Sequence, residues 1–154
     1  MASSDSSFAS DKTVLTARIL GYGGALPFLG SAIAVSQQTT ILGLMPAYLL
    51  LSYGAVILSF LGGLHWGRVI TSPSSDRRSD SAWLVWAVCP SILSWASLLL
   101  PVKAGALLLI LCFLAALQID QKLLREQVWP SWMRPLRLHL SLIAVASLIS
   151  VTIS

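Results

Sequence analysis

AGALLLILCFLAALQI, residues 104–119, runs for 16 residues without an Asp, Glu, Lys or Arg. It shows no alternation of polar and apolar side chains, so it is neither a half-buried strand nor a transmembrane β-strand, which alternates over ~10 residues. At roughly 1.5 Å per residue it covers ~24 Å as a helix, and a few flanking residues complete the ~30 Å of a bilayer core. Outward from it lie four more stretches without an Asp, Glu, Lys or Arg, at about 19–35, 45–67, 82–100 and 138–153. All sixteen charged side chains fall between these stretches or at their edges. Backbone amides inside hydrocarbon have no water to bond, so each stretch must satisfy them internally as a helix. The expectation is an all-α, polytopic integral membrane protein, a bundle of five transmembrane helices.

Composition excludes the other classes. Of 154 residues 56% are hydrophobic and 10% charged, with a mean hydropathy of +0.80. An ordinary soluble domain carries about 25% charged residues. So few charges cannot clothe a soluble enzyme, solvate a disordered chain or form a nucleic-acid surface, and no nucleic-acid partner is expected. Residues 1–17 are Ser-rich and mixed in charge and read as a disordered tail. Residues 18–154 read as one transmembrane domain.

The charges also orient the bundle. Lys12 and Arg18 precede the first stretch; Arg68, Arg77 and Arg78 follow the second; Lys122, Arg125, Arg134 and Arg137 follow the fourth. With five spans these nine share a side, and the other side holds Lys103 alone. Such asymmetry predicts N-in and C-out, with the basic loops against anionic lipid at the inner face. Five of the six tryptophans, Trp66, Trp83, Trp86, Trp129 and Trp132, fall near the inner boundary, the headgroup level that indole rings favour. Pro27 and Pro90 should kink or break their helices.

Candidate functional residues gather at the inner ends. In the run 59–68 (SFLGGLHWGR), Ser59, Gly63 and Gly67 recur every four residues, and with Gly62 they read as a face where a neighbouring helix packs closely. Gly21 and Ala25 form a similar pair in the first stretch. His65 is an ionisable side chain within a span, which makes it a functional candidate. His65, Arg68, Asp120 and Arg137 all lie at the inner ends of the second, fourth and fifth stretches. If those ends converge, an Arg should pair with Asp120, and the group forms a polar pocket for a partner or a lipid headgroup. His139 lies at a depth similar to that of His65. No carboxylate lies mid-membrane, so the acidic relay usual in proton-coupled carriers is lacking. No catalytic motif, metal-ligand spacing or cofactor fingerprint appears, and no catalytic residue, metal or cofactor is assigned. Cys89 and Cys112 read as small apolar side chains.

The run 52–67 (SYGAVILSFLGGLHWG) resembles the signature of a bacterial inner-membrane family of unknown function whose eukaryotic relative is the mitochondrial transmembrane protein 69. The stretch 20–28 (LGYGGALPF), the triplet Cys89-Pro90-Ser91 and the late run 130–138 (PSWMRPLRL) are similar to it as well. The resemblance implies a small, all-helical, multi-pass protein of a bacterial inner (plasma) membrane, and it implies no activity. Three function classes follow. The favoured one is an accessory or assembly subunit of a larger membrane complex, or a homo-oligomer. The second is a carrier or binding protein for a small solute or lipid headgroup, with an inner-side pocket around His65. The third is a membrane enzyme or haem protein.

Overall fold

The computed structural model describes residues 11–71, 77–125 and 129–154. These form six helices: α1 (Asp11–Gly23), α2 (Leu26–Ser36), α3 (Pro46–Thr71), α4 (Arg77–Ser97), α5 (Val102–Arg125) and α6 (Met133–Ile153). Among the described residues there is no strand; one isolated bridge joins Ile41 and Leu44. Four helical runs are long and apolar enough to cross a membrane: Asp11–Ser36, Pro46–Thr71, Val102–Leu123 and Met133–Ile153. α4 falls short by composition. It opens on Arg77, Arg78 and Asp80, and carries Pro90, Ser91, Ser94 and Ser97 further along. Large apolar side chains such as Val56, Phe60, Val85, Ile92, Leu111 and Leu142 stand exposed around the bundle. A surface this apolar belongs in lipid, and the chain is a helical membrane protein.

The helices overrun the apolar stretches that announce them. α5 continues past Ile119 to Arg125, and α6 begins at Met133, five residues before the last apolar stretch. Long polar side chains reach toward the interface from helix ends, so a helix need not stop where the apolar run stops. Pro135 falls in the first turn of α6, where its missing N–H is no loss. α1 begins at Asp11, inside the segment expected to be a disordered tail. The acidic Asp11 sits at the helix N-terminus, where it complements the dipole, and Thr16 Oγ1 donates to the Lys12 carbonyl at 2.9 Å. Residues 1–10 of that segment lie outside the described residues.

The first apolar stretch is two helices rather than one. Pro27 has no N–H to offer the Gly23 carbonyl, and the chain breaks at Gly24 and Ala25. Ala25 N–H instead closes a four-residue turn on the Tyr22 carbonyl at 3.0 Å. The Gly24 carbonyl accepts the Tyr53 hydroxyl at 2.8 Å, so the break is satisfied from α3. Pro90 has a different outcome: α4 continues through it unbroken. Between α2 and α3, Leu42 and Gly43 both have positive φ (53° and 76°) in a tight turn closed by Ile41 and Leu44.

α3 is the central helix, packed most extensively on α4, while α5 packs on α6. The core joins Phe28, Leu50, Leu58, Leu109, Phe113 and Leu148 with their buried neighbours. The α3–α4 contact is made of small groups. α4 buries Ala87, Pro90, Ser94 and Ser97, one stripe along its face. A Cβ built on Gly62 would collide with the Ala87 carbonyl oxygen, and Pro90 Cγ lies 3.7 Å away. Ser59 Oγ donates to the Ala55 carbonyl at 2.9 Å and lies 3.4 Å from Ser94 Oγ. The α4–α5 turn has a second such contact, Gly105 against the Ser97 carbonyl.

These contacts correct the packing face expected from spacing. Gly63 and Gly67 are exposed and meet nothing within 4 Å. The inward face of α3 runs through Leu58, Leu61, Gly62, His65 and Val69. Gly63 is one residue off that face, a rotation of roughly 100° about the helix axis. Gly21 does make a close approach, its built Cβ lying 3.0 Å from Leu136 Cδ1 on α6, and Ala25 is buried. Accordingly, Gly62→Ala should destabilise the detergent-solubilised protein by about 1–3 kcal/mol, since α3 and α4 must part to admit the methyl group. Gly63→Leu should leave the thermal midpoint within a degree or so of the parent. Equal losses from the two substitutions would mean that α3 is rotated from the position described.

Candidate functional site

At one end of the bundle the C-terminal ends of α3 and α5 meet the N-terminal ends of α4 and α6. Each contributes a polar or aromatic side chain. Asp120, on α5, has no exposed surface at all. It is paired through Oδ2 with Arg137 Nη2 of α6, itself 5% exposed. Its other oxygen, Oδ1, lies 3.2 Å from His65 Nε2 of α3, without the alignment of a hydrogen bond. His65 is 2% exposed. Three helices thus converge on a single carboxylate.

His65 is held by aromatic faces as well as by charge. Its ring stacks against Trp83 of α4 (centroids 5.9 Å apart, planes at 12°) and against Trp129 (5.1 Å, 29°). The Arg68 guanidinium lies 4.9 Å from the Trp83 ring centroid, a cation–π contact. Arg68 has no carboxylate partner among the described residues.

All four residues expected at the inner ends therefore belong to one cluster: His65, Asp120 and Arg137 in direct contact, Arg68 through Trp83. His139 stands apart, with Nδ1 hydrogen-bonded to the Tyr22 hydroxyl at 2.9 Å on the α1–α6 side. Arg134 is exposed, and Glu126 lies outside the described residues. Sequence reasoning missed the roles of Trp83 and Trp129. It placed them at the headgroup level, and nothing in their composition separates an indole at the interface from one covering a buried ring.

The cluster is left with unused hydrogen-bonding capacity. Buried and without a partner among the described residues are His65 Nδ1, Arg68 Nε and Nη2, Asp120 Oδ1 and Arg137 Nε. The three guanidinium nitrogens are donors only. The charge is unbalanced in the same sense. Among the described residues the cluster holds two guanidiniums, Arg68 and Arg137, and one carboxylate, Asp120, which leaves one positive charge in excess with His65 neutral and two with it protonated. A buried, uncompensated cation is costly, and an anion is the group that both offsets the charge and accepts the free donors.

Removing one partner of the buried pair should cost far more than removing both. Asp120→Leu leaves Arg137 charged and unpaired and should destabilise by about 3–5 kcal/mol. The double substitution Asp120→Leu/Arg137→Met should recover most of that loss. Thermal unfolding of the two variants in one detergent checks it; a double variant as unstable as the single one would show that the pair is not what the site rests on.

Comparison with known proteins places the chain without assigning it an activity. The family described as "Protein of unknown function (DUF3429)" matches residues 13–153. Transmembrane protein 69 of Xenopus tropicalis is 36% identical over 132 residues, covering 84% of this chain and 51% of the relative. Transmembrane protein 69 of Mus musculus is 26% identical over 126 residues, covering 82% and 51%. The chain spans about half the length of these curated relatives. No solved structure matches. By the extent of the family match and the identity to the frog protein, the chain belongs to the DUF3429 family, related to transmembrane protein 69.

Proposed function

We propose that the chain is a five-span protein of a bacterial inner membrane, N-terminus in and C-terminus out, that binds an anionic headgroup in the His65–Arg68–Asp120–Arg137 cluster. The observation that carries the binding reading is the set of buried, unpartnered cationic donors at Arg68 and Arg137, with Asp120 the cluster's one carboxylate among the described residues. α4 supplies the fifth span. Its exposed face is apolar at Val85, Val88, Ile92 and Trp95. Its buried serines are satisfied within the helix, Ser94 Oγ donating to the Ser91 carbonyl at 3.1 Å and Ser97 Oγ to the Ser94 carbonyl at 2.6 Å. A helix whose polar groups are bonded inside can cross hydrocarbon despite modest overall apolarity. With α4 counted, the nine-to-one division of basic residues sets the orientation and puts the cluster at the inner face, where anionic lipid is concentrated.

The accessory-subunit reading draws on missing catalytic motifs, and among the described residues no face of the bundle singles out a protein partner. The headgroup reading is preferred because it explains buried atoms that a passive scaffold would leave at a cost.

Two measurements test this reading. A reporter inserted after residue 74 should be active inside and one fused after Ser154 outside; outside activity at residue 74 contradicts the topology. Phosphatidylglycerol added to the delipidated protein should raise its stability, by ~2.7 kcal/mol at a concentration a hundredfold above Kd. Arg68→Gln should abolish most of the gain. Equal stabilisation by phosphatidylcholine would contradict an anion site.

A further inference from the structure

A cavity of about 380 Å³ lies between the α1–α2 pair, α3 and α6, beside the polar cluster. Its walls are almost wholly apolar, with Leu20, Phe28, Phe60, Leu64 and Leu140 among them. It is more than twice the ~150 Å³ that holds a benzene molecule, and it falls in the roughly 300–1,000 Å³ range of small-molecule sites. Leu20 and Phe60 are largely exposed, so the cavity is reached from the side of the bundle rather than sealed. The helix break at Gly24 and Ala25 contributes to its wall.

One end of this cavity is polar. Arg137 lines it, and so does Trp132. Arg137 Nε and Trp132 Nε1 are both buried donors without a partner. An apolar slot that ends on two unused donors, one of them cationic, has the charge and shape of an amphiphile's binding site. A soluble anion would leave the slot empty; a neutral hydrocarbon would leave the donors unpaired.

We propose that the cavity takes one acyl chain of an anionic membrane lipid, whose phosphate sits at Arg137 and Arg68. This rests on the headgroup reading above and adds the tail. The cluster recognises the phosphate, Trp132 N–H adds a hydrogen bond near it, and the chain runs along Leu64, Phe28 and Leu140. The occupant is a lipid with at least one long chain, and the head alone binds more weakly.

The test uses the full chain, delipidated in a neutral detergent, with native mass spectrometry as the readout. The probes are dioleoyl phosphatidylglycerol, dioleoyl phosphatidylcholine and glycerol phosphate. The parent protein should bind phosphatidylglycerol on the order of tenfold or more tighter than glycerol phosphate, because only the former buries a chain. Leu64→Trp and Leu140→Trp fill the cavity from different helices. Each should weaken phosphatidylglycerol about tenfold and leave glycerol phosphate unchanged, which also shows that the variant is folded. Unchanged phosphatidylglycerol binding in both variants, or equal binding of lipid and glycerol phosphate, overturns the tail proposal while the headgroup reading stands. Absent glycerol phosphate binding together with equal affinity for the two lipids overturns the headgroup reading itself.

Discussion

A carboxylate taken entirely out of water must find a positive partner inside the protein, and Asp120 finds Arg137, with the His65 ring 3.2 Å from its other oxygen. That requirement ties the ends of α3, α5 and α6 together at one level of the bundle. The pair does little for net stability, since desolvation consumes much of the Coulomb energy. What it does is fix registry. A helix of nearly uniform apolar surface can slide or rotate against its neighbours in lipid at small cost, because lipid tails and leucine side chains are equally apolar. Sliding α5 by one turn would strip Asp120 of both partners, so the polar contact decides where the helices sit. Small groups then set how closely they sit, at Gly62 against Ala87 and at Gly105 against Ser97.

Among the described residues Asp120 neutralises one of the cluster's two guanidiniums, and the proposed headgroup binding rests on the other. Among the described residues Arg68 is held over the Trp83 ring rather than against a carboxylate. Trp83 and Trp129 stack on His65 and keep water from it, which makes every unpaired donor in the cluster more costly and any anion that reaches them more tightly held. Arg137 belongs both to this cluster and to the apolar cavity beside it. One side chain therefore joins the charged cluster to the apolar cavity, which under the proposal take the two halves of a lipid.

The sequence made the helical membrane architecture legible because a bilayer leaves few choices. Sixteen consecutive uncharged residues at 104–119, nearly all of them apolar, have one viable backbone conformation in hydrocarbon. The gathering of His65, Arg68, Asp120 and Arg137 was legible for a related reason: charges avoid the mid-membrane and collect at helix ends. Rotational phase was not legible. In a helix as apolar on all sides as α3, nothing in the pattern says whether Gly62 or Gly63 faces inward, and four-residue spacing favoured the wrong one. Nor could composition tell that Pro27 ends a helix while α4 runs through Pro90. That depends on what satisfies the freed carbonyls, and for Gly24 the answer is a tyrosine 29 residues away.

The central claim is that the excess positive charge at Arg68 and Arg137 is offset by a bound phosphate. The most direct measurement is the phosphorus content of the purified protein after exhaustive washing in a phosphorus-free detergent. The account predicts on the order of one phosphorus per folded chain, falling to a small fraction of that in Arg68→Gln as the bound lipid's affinity drops. Phosphorus at background in the parent protein, or equal contents in parent and variant, would contradict it.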